Sequence, residues 1–101
     1  MTDIVRLEIL IDKLAAHEVL YKIRPFPSVT CTVHAPSACI YKGHAITSAD
    51  LPDAIAYHKM VVFIPEAIYP ELQKALKKTL LTYNPLVYES ICRRPNWLAK
   101  P

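Results

Sequence analysis

Two cysteines and two histidines in the middle of the chain have the spacing of a metal site. Cys31, His34, Cys39 and His44 follow the pattern C-x2-H-x4-C-x4-H. Two thiolates and two imidazoles make a complete tetrahedral ligand set for zinc, provided that all four side chains converge on one point. The elements that carry these residues therefore decide whether the pattern can bind an ion.

The sequence around Cys31 argues against convergence. The run SVTCTVHA is dense in β-branched residues and predicts a strand. Side chains alternate between the two faces of a strand, so Cys31 and His34 would point away from each other. Zinc knuckles share this spacing in a different ligand order, but they turn tightly where VTCTVH is extended. We expect no metal and no cofactor, and instead small buried cysteines and partly exposed histidines beside a hairpin.

Motifs for catalysis are missing. A thiol enzyme would need Cys31 or Cys39 to be activated by a nearby histidine. The sequence has no GxSxG elbow and no HExxH pair, and Gly43 is its only glycine, so it cannot readily form a glycine-rich phosphate loop. Acidic pairs within residues 50–53 and 66–71 fall where helix starts favour negative charge. We expect no catalytic residues, and a zinc protein or a thiol enzyme ranks below two binding functions.

Positive charge is concentrated in the last third of the chain. Residues 73–101 contain six lysines and arginines against the single acid Glu89. Such a stretch, with aromatic residues nearby, predicts either a docking surface for a protein or a face that holds phosphates and stacks on bases. It is also typical of an ordinary solvated helix face. The candidate binding residues are Lys74, Lys77, Lys78, Tyr88, Arg93, Arg94 and Trp97.

The candidate residues must be positioned by elements that hydrophobic periodicity predicts. Apolar residues recur every three or four positions from Ile4 to Leu14, which indicates an amphipathic helix over residues 2–17. The segment after it, residues 19–24, is rich in β-branched and aromatic residues and predicts a strand that ends at two prolines. Further strands are predicted at 28–35, on either side of Gly43, at 61–65 and at 86–91, and further helices at 47–59 and from Pro70 onward.

Two of these elements set the architecture. VVFIP, residues 61–65, is a short, wholly apolar run typical of a strand at the centre of a sheet. Leu72, Leu76 and Leu80 form an i, i+4 seam that marks the buried side of the helix after Pro70. Residues 86–91 are predicted to form a strand, and helix is the alternative because Asn84 and Pro85 suit a helix start. If they form a strand, the helix after Pro70 is a right-handed crossover between two parallel strands.

The predicted fold class is α+β. We expect a two-layer sandwich, with three helices packed on one face of a mainly antiparallel sheet of four to five strands. The 101 residues suffice for one domain, which we place at residues 1–95, followed by a C-terminal tail at 96–101.

Composition narrows the functional class. The chain is 52% apolar with a net charge of +3, which excludes disorder and strong basicity and favours burial by self-association as a homodimer. Three cysteines and the absence of a signal peptide or membrane-spanning run predict a reduced, cytoplasmic protein without membrane contact. The favoured hypothesis is that the protein is a small protein-binding module, a regulator or inhibitor of the kind that mobile elements or phages encode. The alternative is a nucleic-acid-binding protein that uses the basic C-terminal face.

Overall fold

The computed structural model describes residues 3–34, 38–41, 44–47, 57–93 and 95–98. Within these ranges the elements follow the chain in the order β1 (Ile4–Asp12), α1 (Lys13–Ile23), β2 (Thr30–His34), β3 (Ala38–Tyr41), β4 (His44–Thr47), β5 (Tyr57–Pro65), a 3₁₀ turn (Glu66–Ile68), α2 (Tyr69–Tyr83), β6 (Leu86–Cys92) and a second 3₁₀ turn (Asn96–Leu98).

Four strands form one sheet in the order β2-β5-β1-β6, and every neighbouring pair is antiparallel. It follows that β1 and β2 run parallel to each other across β5, and that β5 and β6 run parallel across β1. Each parallel pair is connected through one helix, α1 or α2. Within the described ranges, β3 and β4 pair only with each other and form a separate two-stranded sheet.

This arrangement confirms the predicted α+β fold with an antiparallel sheet and helices on one face. The helix count differs, because the described residues contain two α-helices and not three. Of the predicted helix at 47–59, residues 48–56 lie outside the described residues, and Tyr57, His58 and Lys59 belong to β5.

The helix predicted over residues 2–17 is wrong, because Ile4–Asp12 forms the strand β1. Its side chains alternate between buried and partly buried along the whole strand. The sequence carries two apolar periods at once, since Leu7 and Ile11 fit a helical stripe with Ile4 and also a strand alternation with Val5 and Ile9. Pairing on both sides, with β5 and with β6, stabilises the strand over the helix, and β1 is an interior strand of the sheet.

The strand predicted at 19–24 is also wrong, since these residues complete α1. Asp12 caps the start of this helix, and its carboxylate accepts a hydrogen bond of 2.9 Å from the backbone N–H of Ala15. A side chain at this N-cap position satisfies one of the free N–H groups of the first turn. Ala15, Val19 and Ile23 then recur at i, i+4 and i+8 and are buried, so packing overrides the β propensity of the local sequence.

The remaining predictions of secondary structure are confirmed. β2, the hairpin strands beside residues 42–43, β5, α2 and β6 all lie where the sequence placed them. β5 is an interior strand and β6 parallels it through α2, as the crossover required. Pro70 stands in the first turn of α2, where its missing N–H costs nothing.

The core lies between the sheet and the two helices. Its sheet side consists of alternate residues of β1 and β5, such as Ile9 and Met60, which are directly paired and fully buried. Leu72 and Leu76 of α2 and Val19 of α1 close it from above. Because paired residues share a face, the other face of the sheet carries the alternate set and lies away from the helices. We call it the open face. Neither α1 nor α2 is long and apolar enough to cross a bilayer, and the described residues include no other helix that is.

Candidate functional site

The lysines of the predicted site stand on the outside of α2. Leu72, Leu76 and Thr79 are the buried residues of this helix, so the 3.6-residue period turns Lys74, Lys77 and Lys78 towards solvent. We call these three residues and the 71% exposed Leu81 beside them the lysine face. None of the three lysines forms an ion pair with a described residue. Their positive charge is therefore available to a ligand.

A groove runs beside the lysine face, between α2 and β6. Its volume is about 590 Å³. Leu7, Leu76 and Val87 supply its apolar floor, and Lys74 and Lys77 stand among the residues of its rim. An apolar floor with a cationic rim is suited to a ligand that combines apolar and acidic groups.

Tyr69 and Glu89 tie the start of α2 to β6 at the groove. The Tyr69 hydroxyl donates a hydrogen bond to the Glu89 carboxylate. Burial, and then this bond to a negative group, raise the pKa of Tyr69 to about 12. The Tyr69 phenol thus engages Glu89, the one acidic residue in the basic stretch 73–101.

Of the other predicted binding residues, Tyr88 lies on the opposite side of the sheet from the lysine face. Tyr88 pairs with Glu8 and so lies on the open face of the sheet, on the side opposite to α2. Arg93 follows β6, where its Nε atom lies 4.0 Å from a carboxylate oxygen of Asp3. Trp97 is 81% exposed in the second 3₁₀ turn, and Arg94 lies outside the described residues. The structure therefore does not bring Tyr88 together with the lysines, and a binding role for these residues stays a prediction.

The open face carries a charged cluster that the sequence pattern did not predict. The Glu8 carboxylate on β1 forms ion pairs with Lys59 of β5 at 2.9 Å and with Arg6 at 3.1 Å. Together these cations lower the pKa of Glu8, with the Lys59 bond as the largest cause. In a strand, alternation places Arg6 and Glu8 on the same face. The prediction of a helix over these residues did not bring them together.

The cysteine and histidine set does not converge in the described part of the chain. Cys31 packs against the core, whereas His34 is exposed on the opposite face of β2. Burial raises the pKa of the Cys31 thiol, which leaves it protonated and a poor nucleophile. The side chains of Cys39 and His44 lie outside the described residues. Among the side chains that are described, no three histidines, cysteines or acids group as metal ligands, and the absence of zinc stays a prediction.

Comparison with solved structures identifies the fold. No protein-family model matches the sequence, and no curated protein resembles it at a significant level. The chain is similar to CPII, a nitrogen regulatory PII-like protein from Thiomonas intermedia K12 bound to ADP, AMP and bicarbonate, with a TM-score of 0.69 at 11% identity over 88% of this chain and 85% of that chain.

Two further structures share the architecture. CutA1 from Oryza sativa gives a TM-score of 0.61 at 15% identity, over 96% of this chain and 85% of that chain. A DUF3240 family protein from Shewanella baltica OS155 gives 0.59 at 10% identity, over 93% of this chain and 91% of that chain. The chain therefore has the PII-like, ferredoxin-type α+β fold, with a four-stranded antiparallel sheet and two helices.

Proposed function

We propose that the protein is a small cytoplasmic regulatory module, without catalytic activity of its own, that docks through its lysine face on an acidic surface of a protein partner. One observation carries this proposal. Lys74, Lys77 and Lys78 present three cations without an ion-pair partner in the described structure, around the exposed apolar side chain of Leu81. Apolar contact surrounded by uncompensated charge favours a partner of opposite charge and speeds its association. The PII-like fold supports a regulatory role by analogy.

The same geometry makes nucleic acid the weaker candidate. Binding single-stranded nucleic acid combines cations along the backbone with aromatic residues on which bases stack. Tyr88, an aromatic residue near the lysines in sequence, lies across the sheet from them. The lysine face itself offers Leu81 and no aromatic residue.

The test is a binding measurement on the purified chain. The partner is first recovered from native lysate after nuclease treatment, and the absorbance ratio of the retained material reports any nucleic acid. The purified partner is then titrated against the chain carrying Lys74→Glu and Lys78→Glu. The matched control carries Lys13→Glu and Lys22→Glu, which reverse the same charge on α1.

We expect the α2 double variant to bind at least about tenfold more weakly, through slower association, and the α1 control to bind as the unaltered chain does. Equal affinity of the two double variants would place the docking surface elsewhere. Retained nucleic acid whose binding falls steeply with salt would favour the alternative.

A second candidate function is binding of an adenine nucleotide. It is favoured by two of the CPII structures, which hold ADP and AMP. The described residues of this chain contain no glycine, so phosphates would be held by side-chain cations and not by a glycine loop. Calorimetric titration with ADP and AMP tests the candidate. A lack of measurable heat at millimolar nucleotide would remove it and leave the docking proposal intact.

Self-association is the second part of the proposal. The open face carries Leu10, Phe63 and Tyr88 around the Arg6–Glu8–Lys59 cluster, a surface with the mixed character of subunit interfaces. Composition predicted a dimer, whereas PII proteins are trimers. We propose an oligomer of this chain through the open face, and light scattering on the purified protein measures its subunit number. A monomer at micromolar concentration would contradict it.

A further inference from the structure

The polar residues that line the groove between α2 and β6 are of two kinds. At one end, the Tyr69 hydroxyl is hydrogen-bonded to the Glu89 carboxylate and to the Gln73 side chain, so the polar groups there already have partners. Lys74 and Lys77 also line the groove, and neither forms an ion pair within the described part of the chain. The groove therefore has uncompensated positive charge and no uncompensated negative charge on its lining.

Lys77 lies well along the groove from Glu89. The step from Tyr69 to Lys77 covers about 12 Å of helix axis at about 1.5 Å per residue. Because α2 connects the parallel strands β5 and β6, it runs against the direction of β6, and this step leads from the level of Glu89 past that of Val87. Glu89 is also not among the residues that line the groove. An anion at Lys77 therefore does not sit beside the carboxylate of Glu89.

The surface between these two ends is apolar. Leu7, which pairs with Glu89 in the register of β1 and β6, forms the floor at the Tyr69 end. Val87, 39% exposed, continues it, and the 71% exposed Leu81 stands one helical turn beyond Lys77. The volume of about 590 Å³ falls within the range of about 300–1,000 Å³ that is typical of small-molecule sites.

The two lysines also face a second hollow. It has a volume of about 490 Å³ on the lysine face and shares Lys74, Lys77 and Leu81 with the groove. The lysines thus stand where an apolar cleft opens onto a solvated cationic surface. A charged head group bound there can keep part of its hydration, while an apolar tail attached to it leaves water for the groove.

We propose that the groove binds a small aliphatic monocarboxylate, with its carboxylate at Lys74 and Lys77 and its tail over Val87 and Leu7 towards Tyr69. The head must be anionic to complement the lysines. The body must be apolar, because the other polar groups of the lining already have partners. The inference goes beyond docking on a protein partner and does not depend on it, although a bound carboxylate would neutralise two of the three cations of the lysine face.

The test is a titration of the purified chain with octanoate, followed by calorimetry. Acetate is the first matched probe, because it keeps the carboxylate without the tail. Octylammonium is the second, because it keeps the tail with the opposite charge. The same titrations are run on the α2 double variant Lys74→Glu and Lys77→Glu. The matched control is Lys13→Glu and Lys22→Glu, which changes the charge of α1 by the same amount.

We expect the unaltered chain and the α1 control to bind octanoate at least about tenfold more tightly than either acetate or octylammonium. The α2 double variant should prefer octylammonium, because its lining charge is reversed. Methyl NMR spectra of the unaltered chain should show octanoate-dependent shifts at Leu7 and Val87, which lie on the groove floor.

Four results would overturn the inference. Equal affinity for octanoate and acetate would indicate an adventitious anion only, and an unreversed preference would show that the lysines do not hold the head group. Shifts at Phe63 without shifts at Leu7 or Val87 would place the ligand on the open face. A lack of saturation at about 10 mM octanoate would leave the groove to a protein partner. Because none of these titrations contains a partner protein, their failure leaves the docking function standing.

Discussion

Leu76 is the residue whose truncation tests both the packing of α2 and the position of the groove. It is 2% exposed and lies in the core cluster between the sheet and the helices. Replacement by alanine removes three carbon atoms, and at about 0.8 kcal/mol for each buried methylene this loses roughly 2.4 kcal/mol of transfer free energy. The void left behind adds up to about 1.5 kcal/mol when the surroundings cannot close over it.

The groove beside Leu76 reduces the loss of stability expected for Leu76→Ala. Leu76 also contributes to the groove floor, so water or a shift of α2 can fill part of the void. We expect Leu76→Ala to lower the free energy of unfolding by about 2–4 kcal/mol. Leu72→Ala should cost more, because Leu72 is fully buried and is not among the residues that line the groove.

Equilibrium unfolding in urea, followed by far-ultraviolet circular dichroism, measures the difference. The denaturation midpoint is compared at one protein concentration, because self-association would otherwise shift it. Leu81→Ala is the control on the same helix, since Leu81 is 71% exposed and its truncation should change stability by less than about 0.5 kcal/mol. Equal midpoints for Leu76→Ala and Leu81→Ala would refute the packing of α2 described above.

Three further predictions concern other parts of the molecule. Asp12→Ala should lower stability by about 1 kcal/mol through loss of the α1 cap, and an unchanged thermal midpoint would show that the cap is dispensable. Because the folded-state pKa of Tyr69 is raised to about 12 from 10.0, its contribution to stability is complete below pH 10 and is lost as the pH rises towards 12. Tyr69→Phe should flatten this alkaline decline in unfolding free energy, and an equally steep decline would exclude the Glu89 bond as its cause. Elemental analysis of the purified protein should find no stoichiometric zinc, and about one zinc per chain, lost on substitution of Cys31 and His34, would overturn that expectation.

The sequence predicted secondary structure correctly where the apolar residues follow a single period, that of a helix or that of a strand. VVFIP has no helical stripe, and the leucines of α2 have no strand alternation, so both elements were predictable. β1 was not, because its apolar residues satisfy both periods and only pairing with β5 and β6 selects one. α1 was missed for a related reason: Val19, Leu20 and Tyr21 favour a strand by propensity, while burial of Val19 against the core favours the helix.

The candidate site divides in the same way. The exposure of Lys74, Lys77 and Lys78 followed from helical spacing opposite the leucine seam, and the structure agrees. The groove required knowledge of which strand lies under α2, and the Glu8–Lys59 pair required the register of two strands far apart in sequence. Tyr88 was assigned to the wrong surface because proximity along the chain does not determine the face of a sheet.

The position of β1 has a consequence for how the chain reaches its fold. β1 is the first strand in the sequence and yet lies inside the sheet, and both of its partners belong to the second half of the chain. Pairing of strands that are far apart in sequence costs loop-closure entropy before stabilising contacts form. We therefore expect folding to be slow for a domain of this size. Until β5 and β6 have been synthesised, the alternating apolar residues of β1 lack both partner strands, and exposed apolar segments of this kind are what chaperones bind.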